Sequence, residues 1–116
     1  MSAAPAIDAA AFRTLEEAAG PDFVGELVGT FLEEAPRMLE DLKRAYDAVD
    51  AERFRRAAHS LKSNGLTFGA LAFATQARAL ELAGVAAVRA QGGDPMAALA
   101  AEYGRAAAAL KAMAHA

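Results

Sequence analysis

Apolar residues along most of this chain alternate four and three apart, the spacing that lines one face of a bundle helix. The first long run predicts a helix over about 22–49, with Val24, Val28, Phe31, Ala35, Met38, Leu42, Ala45 and Val49 as its seam. Leu27, Leu32, Leu39 and Tyr46 widen that stripe. Pro36 lies inside the run and removes the donor that would bond the Leu32 carbonyl, so a kink is expected there rather than a break. Asp50 is a good N-cap for a second helix, whose seam is Phe54, Ala58, Leu61, Gly65 and Phe68. Gly65 and Gly69 weaken its end and place it near Phe68. A third helix is expected over about 70–90 through Phe73, Ala77, Leu80, Gly84 and Ala87, with Gln91-Gly92-Gly93 terminating it. Asp94 then caps a fourth, with Pro95 at its first position and Leu99, Tyr103, Ala106, Leu110 and Met113 on one face.

A shorter amphipathic segment, about 8–19, precedes these and ends at Gly20-Pro21; its Phe12 and Leu15 are placed to cover one end of the assembly. Short linkers favour antiparallel neighbours. The expected fold is therefore all-α: an antiparallel up-down-up-down four-helix bundle over about 22–115 with a short N-terminal accessory helix, all in one domain of 116 residues.

Composition narrows the function classes. Hydrophobic residues make up 55% of the chain, much of it alanine, which favours helix and lets helices approach closely. The chain has no cysteine, which excludes disulfides and thiolate metal sites and fits a reducing, cytoplasmic setting. No apolar run reaches the ~18 residues that suggest a membrane span. The start, MSAAPAID, lacks the basic flank and apolar block of a signal peptide. A net charge of -3 argues against nonspecific nucleic-acid binding. Nothing in the chain resembles a glycine-rich nucleotide loop or a Walker lysine, so no ATP site is expected.

One side chain stands apart. With Leu61 as zero on a helical wheel, the seam of the second helix falls within roughly -20° to +60°, and His59 falls near about 160°. Arg55 lies near ~120°, Arg56 near ~220°, Lys62 near ~100°, Ser63 near ~200° and Leu66 near ~140°. His59 thus shares the water-facing side with cations, a small hydroxyl residue and an exposed leucine. Near neutral pH a substantial fraction of imidazole is unprotonated and nucleophilic, and attack on phosphorus gives an N-phosphoryl group that Lys62, one turn on, can stabilise. Position alone does not separate such a histidine from an ordinary solvated one. Neither Glu52 nor Arg56 offers a second soft ligand at helical spacing, so no metal site is expected. Glu33, Glu34, Glu40 and Asp41 read as a solvated face, and His115 as part of a frayed tail.

The string His59-Ser60-Leu61-Lys62, with Gly69 ten residues after the histidine, resembles the signature of histidine-containing phosphotransfer (HPt) domains. The stretches AERFRRAAHSLKS and FLEEAPRMLEDLKRA and the four-helix plan are similar to that family over about 23–113. The resemblance implies a free-standing phosphocarrier of the bacterial two-component phosphorelay type, with no ATP site or bound cofactor of its own. His59 would be the phosphoacceptor, through Nε2, and Lys62 would stabilise the phosphoryl group. The implied partners are response-regulator receiver domains, which bring their own aspartate and Mg²⁺, and a histidine kinase, hybrid or separate. A monomer is expected, without nucleic-acid or membrane partners. The wheel makes Arg55, Arg56 and Leu66 candidates for receiver docking. Ser63 stands where the family commonly has glycine; it is small enough to keep the imidazole accessible. A polar side chain from the next helix often orients the histidine in such bundles, and Gln76 and Glu81 are both candidates. The alternative function is a helical regulatory or adaptor bundle that binds partners without carrying phosphate.

Overall fold

The computed structural model describes residues 5–114. Six helices follow one another: α1 (Ala9–Ala19), α2 (Pro21–Ala48), α3 (Ala51–Phe68), α4 (Leu71–Ala83), α5 (Val85–Gln91) and α6 (Pro95–Ala114). No strand occurs among the described residues. The long helices form a closed ring in which α2 packs on α3, α3 on α4, α4 on α6 and α6 on α2. Ring contacts give the directions. Phe31, early in α2, stacks on Phe68 at the end of α3 at 5.0 Å, and Tyr103 of α6 meets both Phe31 and Phe73. Leu39 and Lys43 late in α2, and Ala79 and Leu80 late in α4, line grooves with Met96 and Leu99 at the start of α6, so neighbours in the ring run antiparallel, as the short linkers predict.

The predicted seams form the core, with instructive exceptions. Val24, Val28, Phe31, Ala35, Leu42 and Ala45 of α2 are buried, and the helix continues through Pro36 without interruption. Met38 is only partly buried. Val49 is 50% exposed: it does not extend the seam but caps the helix in a left-handed conformation with φ 53°. The Asp50 amide there bonds the Ala45 carbonyl at 2.9 Å, and the Ala70 amide bonds the Gly65 carbonyl at 2.8 Å after α3. Both turns share one C-capping geometry; Gly69 adopts it without strain, whereas β-branched Val49 does not. Asp50 and Asp94 accept from the backbone amides of Arg53 and Ala97, capping α3 and α6 as the sequence predicts, and Asp8 caps α1 in the same way through the Ala11 amide. The accessory helix sits where expected, with buried Ile7 and Phe12 packed into the core and the Asp8 amide bonded to the Gly69 carbonyl at 2.7 Å. The expectation for His115 lies outside the described residues.

The third predicted helix is where the structure departs. It breaks at Gly84, whose φ of 83° and ψ of 158° belong to a region open essentially only to glycine. The chain turns by 107° between α4 and α5. Val85 and Val88 are consequently buried, while Ala87, expected on the seam, is exposed. After the turn, α5 buries both valines in the core that the longer helices share. Arg89 ties α5 to α2, donating to the Tyr46 carbonyl at 2.9 Å with its guanidinium 5.1 Å from the Tyr46 ring centre.

Gly65 sets the distance between α3 and α4. A Cβ there would lie 2.9 Å from Cδ2 of Phe73 and 3.2 Å from Cβ of Ala74. The Phe73 ring is fully buried and has nowhere to go. Replacing glycine by alanine in a helix normally gains about 1 kcal/mol, but overpacking a tight core costs about 1–3 kcal/mol. Gly65→Ala is therefore expected to lose roughly 1 kcal/mol net, read as a lower urea midpoint. A raised midpoint would show that the helices separate without cost.

Candidate functional site

His59 lies in the middle of α3 on its outer side, as the wheel places it, with 54% of its side chain exposed. It does not stand alone. Its Nδ1 lies 2.7 Å from Oε2 of Glu81 on α4. The ammonium of Lys62 lies 3.0 Å from Oε1 of the same carboxylate. Glu81 is thus shared between the ring and the lysine, and only 14% of its side chain is exposed. Lys62 is less exposed than the wheel suggests, at 21%, because its stem lies along the α3/α4 groove with its head turned to Glu81.

The two candidate orienting residues are placed differently. Glu81 reaches His59, whereas Gln76 points into the groove between α4 and α6, beside Ala79, Leu80, Pro95 and Leu99. The difference is helical phase: Gln76 and Glu81 are five residues apart, about 140° around α4. Lys62 first and His59 second hold the Glu81 carboxyl below its ordinary value of 4.5, outweighing partial burial, which acts the other way. A lowered value means that this ion pairing is fully present above about pH 4.5 and is lost only as the pH falls through the lowered value.

The hydrogen bond also determines which ring nitrogen is reactive. An ionised carboxylate can only accept, so Nδ1 carries the proton and, in the neutral ring, Nε2 carries the lone pair. The arrangement holds an exposed imidazole in one orientation and one tautomer, with a cation one turn along the helix. That is the equipment of a nucleophile for an anionic electrophile brought by another molecule.

The flanks differ. Ser63 is exposed, and its carbonyl accepts from the Thr67 hydroxyl at 3.1 Å. Leu66 is 53% exposed, and with Lys62, Leu71, Ala74, Thr75 and Arg78 it lines a groove between α3 and α4. Arg55 is exposed one turn before His59. Arg56 instead faces the α2/α3 groove with Met38, Asp41, Arg53 and Ser60, on the other side of α3. The contribution of α4 to this surface is absent from the sequence reading. Its signal was nonetheless present: Leu71, Thr75, Arg78 and Leu82 recur three and four apart, out of phase with the Phe73–Ala77–Leu80 seam, and both leucines are exposed.

The described residues thus form a ring of antiparallel helices with a solvent-facing histidine anchored to a neighbouring helix. Residues 26–116 match the family model of the Hpt domain, and the chain belongs to that family. Hpt domains act in histidine phosphotransfer within phosphorelays, as phosphocarriers. Neither the comparison with curated proteins nor that with solved structures gives a match. No single helix among the described residues is long and apolar enough to cross a membrane.

Proposed function

We infer that this protein accepts a phosphoryl group on Nε2 of His59 and exchanges it with the aspartate of receiver domains. The observation that carries this reading is the 2.7 Å contact of Nδ1 with Glu81, which leaves the exposed ring with its lone pair on the outer nitrogen. The receiver docks over the α3/α4 face. Leu66 and Leu71 give it apolar contact, while Lys62, Arg78 and Arg55 complement the acidic surroundings of a receiver aspartate. Ser63 leaves room for that approach. In the complex Lys62 turns from Glu81 to the phosphoryl oxygens, a short movement for a flexible side chain already beside the ring. Mg²⁺ belongs to the receiver in this scheme, because the carboxylate nearest His59 is already committed to Lys62 and the imidazole. The protein acts as a monomer in the cytoplasm, and a histidine kinase supplies the phosphoryl group upstream.

The test is to mix the protein with a phosphorylated receiver domain and follow the phosphoryl group. Transfer to this chain in an acid-labile, base-stable form is the expected result. Receiver binding without transfer would instead favour a regulatory bundle that carries no phosphate. If neither binding nor transfer occurs with any receiver of the host, the docking face is misassigned.

A further inference from the structure

The two nitrogens of an imidazole point to nearly opposite sides of the ring. A ring tied to α4 through Nδ1 therefore turns Nε2 away from α4. Lys62 and Leu66 lie on the α4 side of α3, in the groove the two helices share. Round the wheel in the other direction, the first position after His59 is Ser63, near about 200°. A group carried on Nε2 projects toward that flank rather than into the α3/α4 groove. Residues four apart on a helix are neighbours, and a side chain leans over the turn that precedes its own Cα. Ser63 follows His59 by four residues, so its hydroxyl leans back over the histidine's turn.

We propose that the Ser63 hydroxyl donates a hydrogen bond to the phosphoryl group on Nε2 of His59 and so sets how firmly this chain holds that group against its receivers. This rests on the carrier reading and adds to it a residue that governs the balance between the two proteins.

The hydroxyl is uncommitted. Short polar side chains within a helix can bond the carbonyl one turn back, and two neighbours in α3 do so. Asn64 donates to the Ser60 carbonyl at 2.8 Å, and Thr67 to the Ser63 carbonyl at 3.1 Å. Ser63 is exposed, and its hydroxyl bonds neither the His59 carbonyl nor any other group among the described residues. It has a proton to give to an oxygen that arrives beside it, and it can turn freely to do so. Ser60, the other hydroxyl close to His59, lines the α2/α3 groove with Met38 and Ala57 instead.

Transfer leaves the serine proton where it is. The Nε2 lone pair attacks phosphorus of the receiver's aspartyl phosphate. The Nε2–P bond forms, the P–O bond breaks, and the aspartate carboxylate leaves with the electron pair. In the return step a carboxylate oxygen attacks phosphorus and the Nε2–P electron pair goes back to Nε2. The serine hydrogen bond exists only while the group sits on this chain. It stabilises the phosphorylated carrier alone, and the equilibrium moves toward the carrier. Docking contacts act differently: they change the rate of exchange in both directions and leave the equilibrium between the free proteins in place.

Ser63→Ala removes the hydroxyl, keeps the space beside the ring, and suits an exposed helical position. Wild-type and variant proteins are phosphorylated with phosphoramidate and mixed with a receiver domain, and the partition of the phosphoryl group is measured once it stops changing. The variant's equilibrium should lie toward the receiver by about threefold to tenfold, the effect of one exposed hydrogen bond to a charged group. Its phosphohistidine should also be shorter-lived in buffer alone, because a loose transition state for hydrolysis weakens the bond from the hydroxyl as the phosphoryl oxygens lose charge. An unchanged equilibrium, reached faster or slower, would overturn the proposal and leave Ser63 a docking residue. Failure of the carrier reading is seen separately, as labelled wild-type protein that gives its phosphoryl group to no receiver. Equal lifetimes of the two phosphohistidines in buffer would then overturn the role of Ser63 as well.

Discussion

His59→Gln is expected to reduce phosphoryl labelling from a phosphorylated receiver to background while leaving the bundle folded. The amide nitrogen of glutamine has its lone pair delocalised into the carbonyl and does not attack phosphorus, so the loss is of the nucleophile itself rather than of a contributing interaction. Folding is insulated from the change. More than half of the His59 side chain faces water, and substitutions at exposed positions away from the core usually alter stability by less than about 0.5 kcal/mol. The glutamine amide can also still donate toward Glu81. Labelling at the wild-type level, with circular dichroism unchanged, would place the phosphoacceptor elsewhere. Labelling lost together with helicity would show that the variant reports folding and not chemistry.

The second large effect is on stability. Phe73→Ala should cost about 3–5 kcal/mol, against a total of roughly 5–15 kcal/mol for a domain of ordinary stability. The Phe73 ring is fully buried, lies 6.1 Å from that of Tyr103, and fills the space that Gly65 leaves open between α3 and α4. Its removal opens a cavity at the seam joining the helix of His59 to the helix of Glu81. Urea unfolding should show a much lower midpoint, and the ¹⁵N signal of the His59 ring should broaden as α4 loses its fixed distance from α3. Phe23→Ala is the matched control: Phe23 is 50% exposed and should shift the midpoint only slightly. Equal midpoints for the two variants would mean that the Phe73 ring is not part of the cooperative core.

Much of this fold is written in local signals. Aspartate caps at Asp8, Asp50 and Asp94 act within three residues, and the apolar spacing of α2, α3 and α6 survives into the core nearly position for position. The failures fall where a residue's fate depends on what packs against it. Val49 and Ala87 match the period but lie beyond points where the chain turns. Gly84 reads as one more small seam residue, since periodicity cannot distinguish a glycine that permits close packing, such as Gly65, from one that permits a 107° turn.

The candidate site divides in the same way. The sequence by itself determined that His59 faces water and that Lys62 lies one turn away, because both follow from the pitch of a single helix and the seam opposite. It also determined the family, through a motif confined to α3 and the helical plan around it. Only the tertiary structure brought Glu81 rather than Gln76 to His59, turned Lys62 toward the same carboxylate, and brought Leu71 and Arg78 beside Leu66. Those relations span two helices, and their phase is set by how deeply Phe73 sinks against Gly65. Helical pitch fixes angles within one helix, whereas the rotation of one helix against another is fixed only by side-chain volumes meeting across the interface.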